Sequence, residues 1–175
     1  MTENAHSDLY TVGHSTHTVE ELLNLLRQHG ITAVADVRSS PYSRHNPQFN
    51  REPLRDELDA TGIAYVFLGQ ELGPRTTDPA CIENGRASYQ RIAETGRFRQ
   101  GLQRLCKGAA TYRVAMLCAE KDPVTCHRMI LICRNLRSEN LDIHHILEDG
   151  TLESQKQAEH RLMTAMDVMP GGDLF

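Results

Sequence analysis

The chain has 175 residues, a length that suits one domain whose core buries most of the surface exposed by the unfolded chain. Its composition is typical of a globular protein, with 39% hydrophobic and 24% charged residues, and its net charge of -4 argues against a general nucleic-acid or membrane coat. No apolar run is long enough to cross a bilayer, and residues 1–8 lack the features of a signal peptide. We therefore expect a cytoplasmic protein with no membrane partner.

The first half of the chain alternates apolar runs with helical patterns. Candidate strands occupy residues 9–12, 31–37 and 63–68. After the first of them, Thr18 and Glu21 form the pattern of a capping box, followed by leucines at helical spacing. Prolines, asparagines and serines predict a loop over residues 38–50. Asn50 is a suitable cap for a short helix over residues 51–60.

The second half continues the alternation after a polar segment from Gly69 to about Arg86, which leads into a helical pattern. Two more candidate strands occupy residues 113–118 and 141–147. Between them, the Asp122-Pro123 pair predicts a helix start, and that helix is expected to run through Leu136. From about Leu152 the sequence has helical periodicity, and we expect a surface helix followed by a frayed terminus.

Strands that alternate with helices predict the α/β class. We expect a single three-layer domain with a mostly parallel sheet of about five strands and helices on both faces. Residues 1–150 would form this α/β domain, and residues 151–175 would add a C-terminal helix and tail to the same domain. The order of the strands is left open.

Polar side chains follow every predicted strand. Because ligands bind beyond the carboxyl ends of parallel strands, we expect these residues to gather at one edge of the sheet. The competing interpretation is that loops between strands and helices are ordinarily polar. The residues are, strand by strand, His14 and Ser15, Asp36 and Arg38, Gln70 and Glu71, Cys118 and Glu120, and Glu148 and Asp149.

The segment from Cys118 to Arg128 is the most specific feature. Cys126, His127 and Arg128 would fall in the first turn of a helix, where free N–H groups favour anions and lower the pKa of a thiol. Three interpretations compete: a nucleophilic thiolate, a redox pair of Cys118 with Cys126, and two inert core thiols.

A metal site is the fourth interpretation that we consider. Cys118, Cys126 and His127 would supply three ligands, but their spacing matches no standard zinc pattern. The five cysteines are an odd number without a CxxC pair, which also argues against a disulfide framework. We therefore predict reduced thiols and no metal, and the sequence indicates no particular cofactor.

The loop that follows the second strand combines cations, amides and aromatic side chains. Arg38 and Arg44 offer donors matched to phosphate, and His45 and Asn46 add further polar groups. A small-molecule or nucleic-acid phosphate ligand would fit here, although ordinary solvated loop chemistry competes, and no protein partner is predicted.

Together these motifs resemble the domain of unknown function family 488. The resemblance covers about residues 9–147 and implies a compact α/β domain in a bacterial or archaeal cell, without implying a reaction. The polar stretch from Arg75 to Arg86 departs from the family pattern. The matching motifs are Gly13-His14-Ser15, Asp36-Val37-Arg38, Pro41-x-Ser43-Arg44-His45-Asn46-Pro47-x-Phe49, Leu72-Gly73, and Cys118-x-Glu120 with Cys126-His127-Arg128.

Three functions follow, in order of preference. The first is a hydrolase or transferase acting on a nucleotide-like or nucleic-acid-like phosphate substrate at the carboxyl edge of the sheet. The second is a module that binds the same ligands without chemistry, and the third is a redox sensor using the Cys118–Cys126 pair. In the enzyme, Cys118 or Cys126 would supply the thiolate, and proton transfer would come from His14, His45, Asp36 or Glu120. The residues expected to bind the anion are Ser15, Arg38, Arg44, His45, Asn46, His127 and Arg128.

Overall fold

The computed structural model describes residues 7–137 and 139–166. The strands are β1 Ser7–Gly13, β2 Ala33–Asp36, β3 Ala64–Phe67, β4 Ile82–Glu83, β5 Arg86–Ala87, β6 Val114–Cys118, β7 Leu141–Ile146 and β8 Leu152–Ser154. The α-helices are α1 Val19–Gln28, α2 Arg51–Ala60, α3 Gly69–Leu72, α4 Tyr89–Ala93, α5 Gly96–Ala109 and α6 Gln155–Ala165. A π-helix spans Arg128–Cys133, and 3₁₀ turns span Pro47–Phe49, Pro79–Cys81 and Pro123–Thr125.

Six strands form one sheet in the order β3-β2-β6-β1-β7-β8. The first five of these strands run parallel, and only β8 pairs antiparallel, against β7. The predicted α/β class with a mostly parallel sheet of five strands is therefore confirmed, and β8 adds an antiparallel edge. Strands β4 and β5 form a separate short hairpin inside the polar segment.

Helices cover both faces of the sheet, as expected. On one face, leucines of α1 and α2 pack with Tyr10 and Val12 of β1. On the other face, Phe98 of α5 and Leu131 of the π-helix belong to the core that contains Leu9 of β1. Neighbouring residues of β1 thus serve two cores, which explains why Leu9 and Tyr10 are both buried.

Of the two caps predicted at helix starts in the first half of the chain, one is confirmed. The predicted capping box at Thr18 and Glu21 is present, with both reciprocal hydrogen bonds. Asn50 precedes α2 as expected but makes no side-chain cap, because its Oδ1 accepts a hydrogen bond from the backbone N–H of Ser43. Among the described residues, no helix has both the length and the apolar character needed to cross a membrane.

Two expectations about helices were wrong. The chain after Asp122 does not enter an α-helix: Asp122 caps a 3₁₀ turn, Cys126 is extended with φ -117° and ψ 141°, and the π-helix begins at Arg128. Leu152 belongs to strand β8 rather than to the last helix, which begins at Gln155. The predicted frayed terminus lies outside the described residues.

Candidate active site

Strands β1 and β6 are neighbours, but the chain leaves their carboxyl ends in opposite directions. From β1 it crosses one face of the sheet through α1 to β2, and from β6 it crosses the other face through the π-helix to β7. Such a divergence opens a crevice between the two strand ends, and ligands of open α/β sheets bind there. The candidate site lies at this position.

The loop after β6 is held against the end of β1. The two residues beyond Gly13 donate their backbone N–H groups to the carbonyl oxygens of Cys118 and Ala119, each at 2.9 Å. A Cβ atom on Gly13 would lie 1.8 Å from the carbonyl oxygen of Glu120. Only glycine permits this approach of two backbones, so the loop geometry depends on it.

Four side chains meet in this crevice. Cys118, Glu120, Cys126 and His127, which we call the thiol cluster, bring one sulfur, oxygen or nitrogen atom each to within 4.8 Å of one another. Cys118 Sγ donates to Glu120 Oε2 at 2.8 Å, and Cys126 Sγ lies 3.3 Å from the same oxygen. His127 Nδ1 lies 3.6 Å from Cys118 Sγ and 3.8 Å from Cys126 Sγ.

The imidazole of His127 has a defined orientation. Its Nε2 atom lies 3.1 Å from the carbonyl oxygen of Val37, just beyond strand β2. Because a carbonyl oxygen only accepts hydrogen bonds, Nε2 carries the hydrogen. In the neutral ring, Nδ1 therefore directs its lone pair toward the two thiols.

Arg128 is fully buried behind the thiol cluster. Its guanidinium donates to the carbonyl oxygens of Glu120 at 2.5 Å and Lys121 at 3.1 Å, and to the hydroxyl of Thr11 at 3.2 Å. Its backbone N–H donates to Cys126 Sγ at 3.4 Å. The guanidinium's hydrogen-bond partners are all neutral, so its charge contributes a positive potential to the site.

A second layer of hydrogen bonds supports Arg128. Thr11 donates to His145 Nδ1 at 2.8 Å, and His145 Nε2 donates to Gln155 Oε1 at 2.9 Å. Burial is the main cause that lowers the pKa of His145, to about 4. The charges of Arg128 and Arg161 act in the same direction, while the Gln155 hydrogen bond and Glu153 oppose them.

The surroundings of the two thiols shift their pKa values in opposite directions. The hydrogen bond from Cys118 is the largest cause that lowers the pKa of Cys126; burial opposes it, and His127 and Arg128 reinforce it. The same hydrogen bond, followed by burial, raises the pKa of Cys118. Burial alone would raise the pKa of Glu120, but hydrogen bonds from both thiols and from its own backbone lower it overall. Cys126 is therefore the more acidic of the two thiols, and Cys118 is the one that stays protonated to higher pH.

Asp36 and Arg38 form a buried pair beside the thiol cluster. Arg38 donates from Nε at 2.9 Å and from Nη2 at 2.6 Å to the two carboxylate oxygens of Asp36. The phenol of Tyr65 donates to the same carboxylate at 2.7 Å. These hydrogen bonds neutralise the charge of Arg38 internally, and its predicted role in anion binding stays a prediction.

His14 lies on the other side of the crevice. Its Nδ1 atom lies 2.9 Å from the carbonyl oxygen of Ser15, and its ring stacks on Phe49 at 4.5 Å between centroids. Burial is the main cause that lowers the pKa of His14. Its ring can therefore accept a proton at Nε2, as the predicted acid–base role requires.

The loop residues predicted to bind anions are placed differently. Arg44 and His45 are exposed, and neither side chain makes a hydrogen bond within residues 7–137 and 139–166. Asn46 is half-buried, and its backbone N–H donates to the Ser43 hydroxyl. The structure does not bring these side chains into the thiol cluster, and their role stays a prediction, as does that of Ser15.

Several groups that complete the site are not recognisable in the sequence. The carbonyl of Val37, which orients His127, carries no side-chain signal at all. A polar cleft of about 950 Å³ also opens beside the cluster's edge of the sheet, and the predicted polar segment supplies much of its lining. Its walls include Ser39, Ser40, Arg75, Thr76, Arg97 and Gln100.

Comparison with known protein families agrees with the resemblance noted in the sequence. The profile of the family described as domain of unknown function DUF488 matches residues 18–134, more than half of the chain. The chain belongs to this family. The DUF488 match includes Cys118, Glu120, Cys126 and His127, and ends just after the π-helix. No curated protein and no solved structure matches the chain.

Proposed function

We propose that this chain is an enzyme, a hydrolase or group transferase, in which Cys126 is the nucleophile. The observation that carries the proposal is the surroundings of Cys126 Sγ. His127 Nδ1 lies at 3.8 Å, the backbone N–H of Arg128 donates at 3.4 Å, and Glu120 Oε2 lies at 3.3 Å. A base with a fixed lone pair beside a thiol is the arrangement that activates a cysteine nucleophile.

The reaction would proceed in two balanced steps. His127 takes the proton of Cys126, and the sulfur attacks the electrophilic atom of the substrate while the leaving group departs with the proton from His127. Water or another acceptor then attacks the enzyme-bound intermediate, gives its proton to His127, and the bond to sulfur breaks to restore the thiolate. Water gives hydrolysis and any other acceptor gives group transfer.

A phosphate-bearing substrate is supported by the cations at this edge of the sheet. Arg128 supplies a buried positive charge, and Arg44 presents an exposed guanidinium on the neighbouring loop. The polar cleft adds Arg75 and Arg97 together with hydroxyl and amide groups. Its volume of about 950 Å³ is sufficient for a nucleotide-sized molecule.

The proposal is tested first by thiol reactivity. In the full-length protein, with a chelator present at neutral pH, we expect iodoacetamide to modify Cys126 faster than Cys106, although Cys106 is the more exposed thiol. The rates are read by mass spectrometry of the corresponding peptides. If Cys106 reacts and Cys126 does not, the nucleophile assignment is wrong.

Turnover provides the second test. Thermal-shift screening with nucleotides and phosphosugars identifies ligands, because a ligand that binds the folded state raises its melting temperature. Any ligand found is then incubated with wild type, Cys118→Ser and Cys126→Ser, and with Cys106→Ser as the control. Turnover lost in Cys126→Ser supports the enzyme; binding without turnover in the wild type indicates a binding module instead.

A redox sensor is the second candidate, because the sulfur atoms of Cys118 and Cys126 lie within 4.8 Å of each other. A peroxide would oxidise the two thiols to one disulfide while it is itself reduced to water or an alcohol and water. Intact-protein mass after mild peroxide treatment tests this candidate. Loss of two hydrogens that requires both cysteines supports it, and stepwise addition of oxygen to a single cysteine excludes it.

A further inference from the structure

We propose that the thiol cluster is a zinc site. Cys118 Sγ, Cys126 Sγ, His127 Nδ1 and Glu120 Oε2 would be the four ligands of one Zn²⁺ ion. These four atoms lie within 4.8 Å of one another, on side chains that come from a strand end, a loop and the start of a helix. The site shares Cys126 and His127 with the proposed enzymatic reaction, but the inference does not rest on that reaction.

Three of the distances between the ligand atoms are close to the edges of a tetrahedron. Zinc binds sulfur at about 2.3 Å and nitrogen or oxygen at about 2.0 Å, so in a tetrahedral site the edges from sulfur to these atoms are about 3.5 Å. The edges from His127 Nδ1 to the two sulfurs are 3.6 and 3.8 Å, and the edge from Glu120 Oε2 to Cys126 Sγ is 3.3 Å. The remaining oxygen edge, to Cys118 Sγ, is 2.8 Å, which a small rotation of the exposed Glu120 side chain lengthens.

The surroundings of the ligands are those that zinc sites require. Histidine ligands almost always donate their second ring N–H to a carbonyl or carboxylate, which fixes the ring and raises its basicity. His127 does so through Nε2 to the carbonyl oxygen of Val37 at 3.1 Å. The backbone N–H of Arg128 donates to Cys126 Sγ, which stabilises a thiolate ligand.

The charges also balance. Two thiolates, one carboxylate and a neutral imidazole around Zn²⁺ carry a net charge of -1. Arg128 lies fully buried behind the cluster, and its hydrogen-bond partners are neutral, so its single positive charge offsets that of the loaded site. A buried charge is stable only when it is compensated, and the metal-loaded cluster supplies the compensation.

The donor atoms of the cluster favour zinc over magnesium and calcium. Thiolates and imidazole are soft or borderline ligands that favour zinc, whereas magnesium and calcium require oxygen ligands. A loaded site would also engage both thiolates as ligands. Zinc-bound protein and protein with a free Cys126 nucleophile are therefore alternative states, and zinc would protect both cysteines from alkylation.

The experiment uses the full-length protein, stripped with a chelator and titrated with Co²⁺ as a spectroscopic probe for zinc. We expect saturation at one equivalent, with a sulfur-to-cobalt charge-transfer band in the near ultraviolet and the intense visible bands of tetrahedral cobalt. Zn²⁺ should then displace the cobalt and abolish both. Cys118→Ser and Cys126→Ser should each lose part of the charge-transfer intensity, while the matched control Cys106→Ser keeps all of it.

Alkylation of the wild type gives a readout that does not depend on how the variants fold. With free Zn²⁺ at about 100 times its dissociation constant, modification of Cys118 and Cys126 should slow by about 100-fold, and modification of Cys106 should not change. A weak octahedral cobalt spectrum, or equal alkylation with and without zinc, would overturn the site. If zinc does not protect the thiols but Cys126 reacts rapidly, the zinc site is wrong and the proposed nucleophile stands. If zinc protects both thiols but Cys126 reacts slowly without zinc, the zinc site is supported and the nucleophile is not.

Discussion

The buried imidazole of His145 should make the fold sensitive to mild acid. It is neutral in the native state, where it accepts a hydrogen bond from Thr11 and donates one to Gln155. Because the folded-state pKa of His145 is lowered to about 4, the unfolded chain binds more protons than the native state at pH values between 4 and the ordinary histidine pKa of about 6.5. Stability is therefore lost as the pH falls through this window.

The size of the effect follows from the two pKa values. With about 6.5 in the unfolded chain and about 4 in the native state, proton linkage costs about 2 kcal/mol between pH 7 and pH 5. The full loss, reached below pH 4, is about 3 kcal/mol at 1.36 kcal/mol for each pKa unit.

The assay is urea denaturation of wild type and His145→Asn at pH 7 and pH 5. The variant should be less stable than wild type at pH 7, by about 1 to 3 kcal/mol, because it breaks two buried hydrogen bonds. Its further loss between pH 7 and pH 5 should be smaller than that of wild type by about 2 kcal/mol. All other histidines are present in both proteins, so their contributions cancel in this comparison.

Thr11→Val is the matched control, because it removes a hydrogen-bond partner and leaves the titrating ring in place. It should lower stability at both pH values by about 1 kcal/mol and keep most of the dependence on pH. If wild type and His145→Asn lose equal stability between pH 7 and pH 5, His145 is not the source of the acid sensitivity and the linkage argument is refuted.

Two further predictions concern the backbone around the site. Gly13→Ala should lower the free energy of unfolding by about 3 kcal/mol, because the new Cβ would overlap the Glu120 carbonyl. The control Gly96→Ala places its Cβ in open space and should leave the free energy of unfolding unchanged or raise it by up to about 1 kcal/mol. Arg128→Met should cost about 3 kcal/mol or more, since two carbonyls and the Thr11 hydroxyl lose their donor, and Arg128→Lys should not restore the loss. Urea denaturation measures both; a neutral Gly13→Ala or a lysine rescue would contradict them.

The parts of the fold that could be predicted are those that local pattern determines. Strands β2 and β6 are buried on both faces and appear as continuous apolar runs, and the capping box at Thr18 is a signal within four residues. The position of Cys118 at the carboxyl edge followed from parallel topology alone.

The course of the chain after Asp122 could not be predicted in this way. Aspartate followed by proline is typical of an α-helix start, yet Cys126 is extended and the π-helix begins two residues later. The reason is long-range: Arg128 reaches Thr11, which is 117 residues away in the sequence, and the carbonyls of a folded-back loop. The same loop brings Glu120 to 3.3 Å from Cys126, a contact that the spacing of the two residues does not predict.

The helix predicted from Leu152 was wrong for a different reason, because residues Leu152–Ser154 form strand β8. Asp149 and Gly150 form a dipeptide typical of hairpin turns, and Gly150 has the positive φ of 83° that such turns need. The Asp149 carboxylate also accepts hydrogen bonds from Thr151. Helical periodicity from Leu152 predicts a helix over the same residues, and only the pairing with β7 distinguishes the strand.

The segment that forms the π-helix Arg128–Cys133 should not tolerate the deletion of a residue. Its hydrogen bonds run to the fifth residue rather than the fourth, so it holds one residue more than an α-helical segment of the same turns. That residue lets Arg128 face the site while Leu131 and Leu136 stay in the core. Deletion of one residue here would prevent Arg128 from facing the site while Leu131 and Leu136 stay in the core. The exposed hairpin at Gly85, in contrast, has room for insertions.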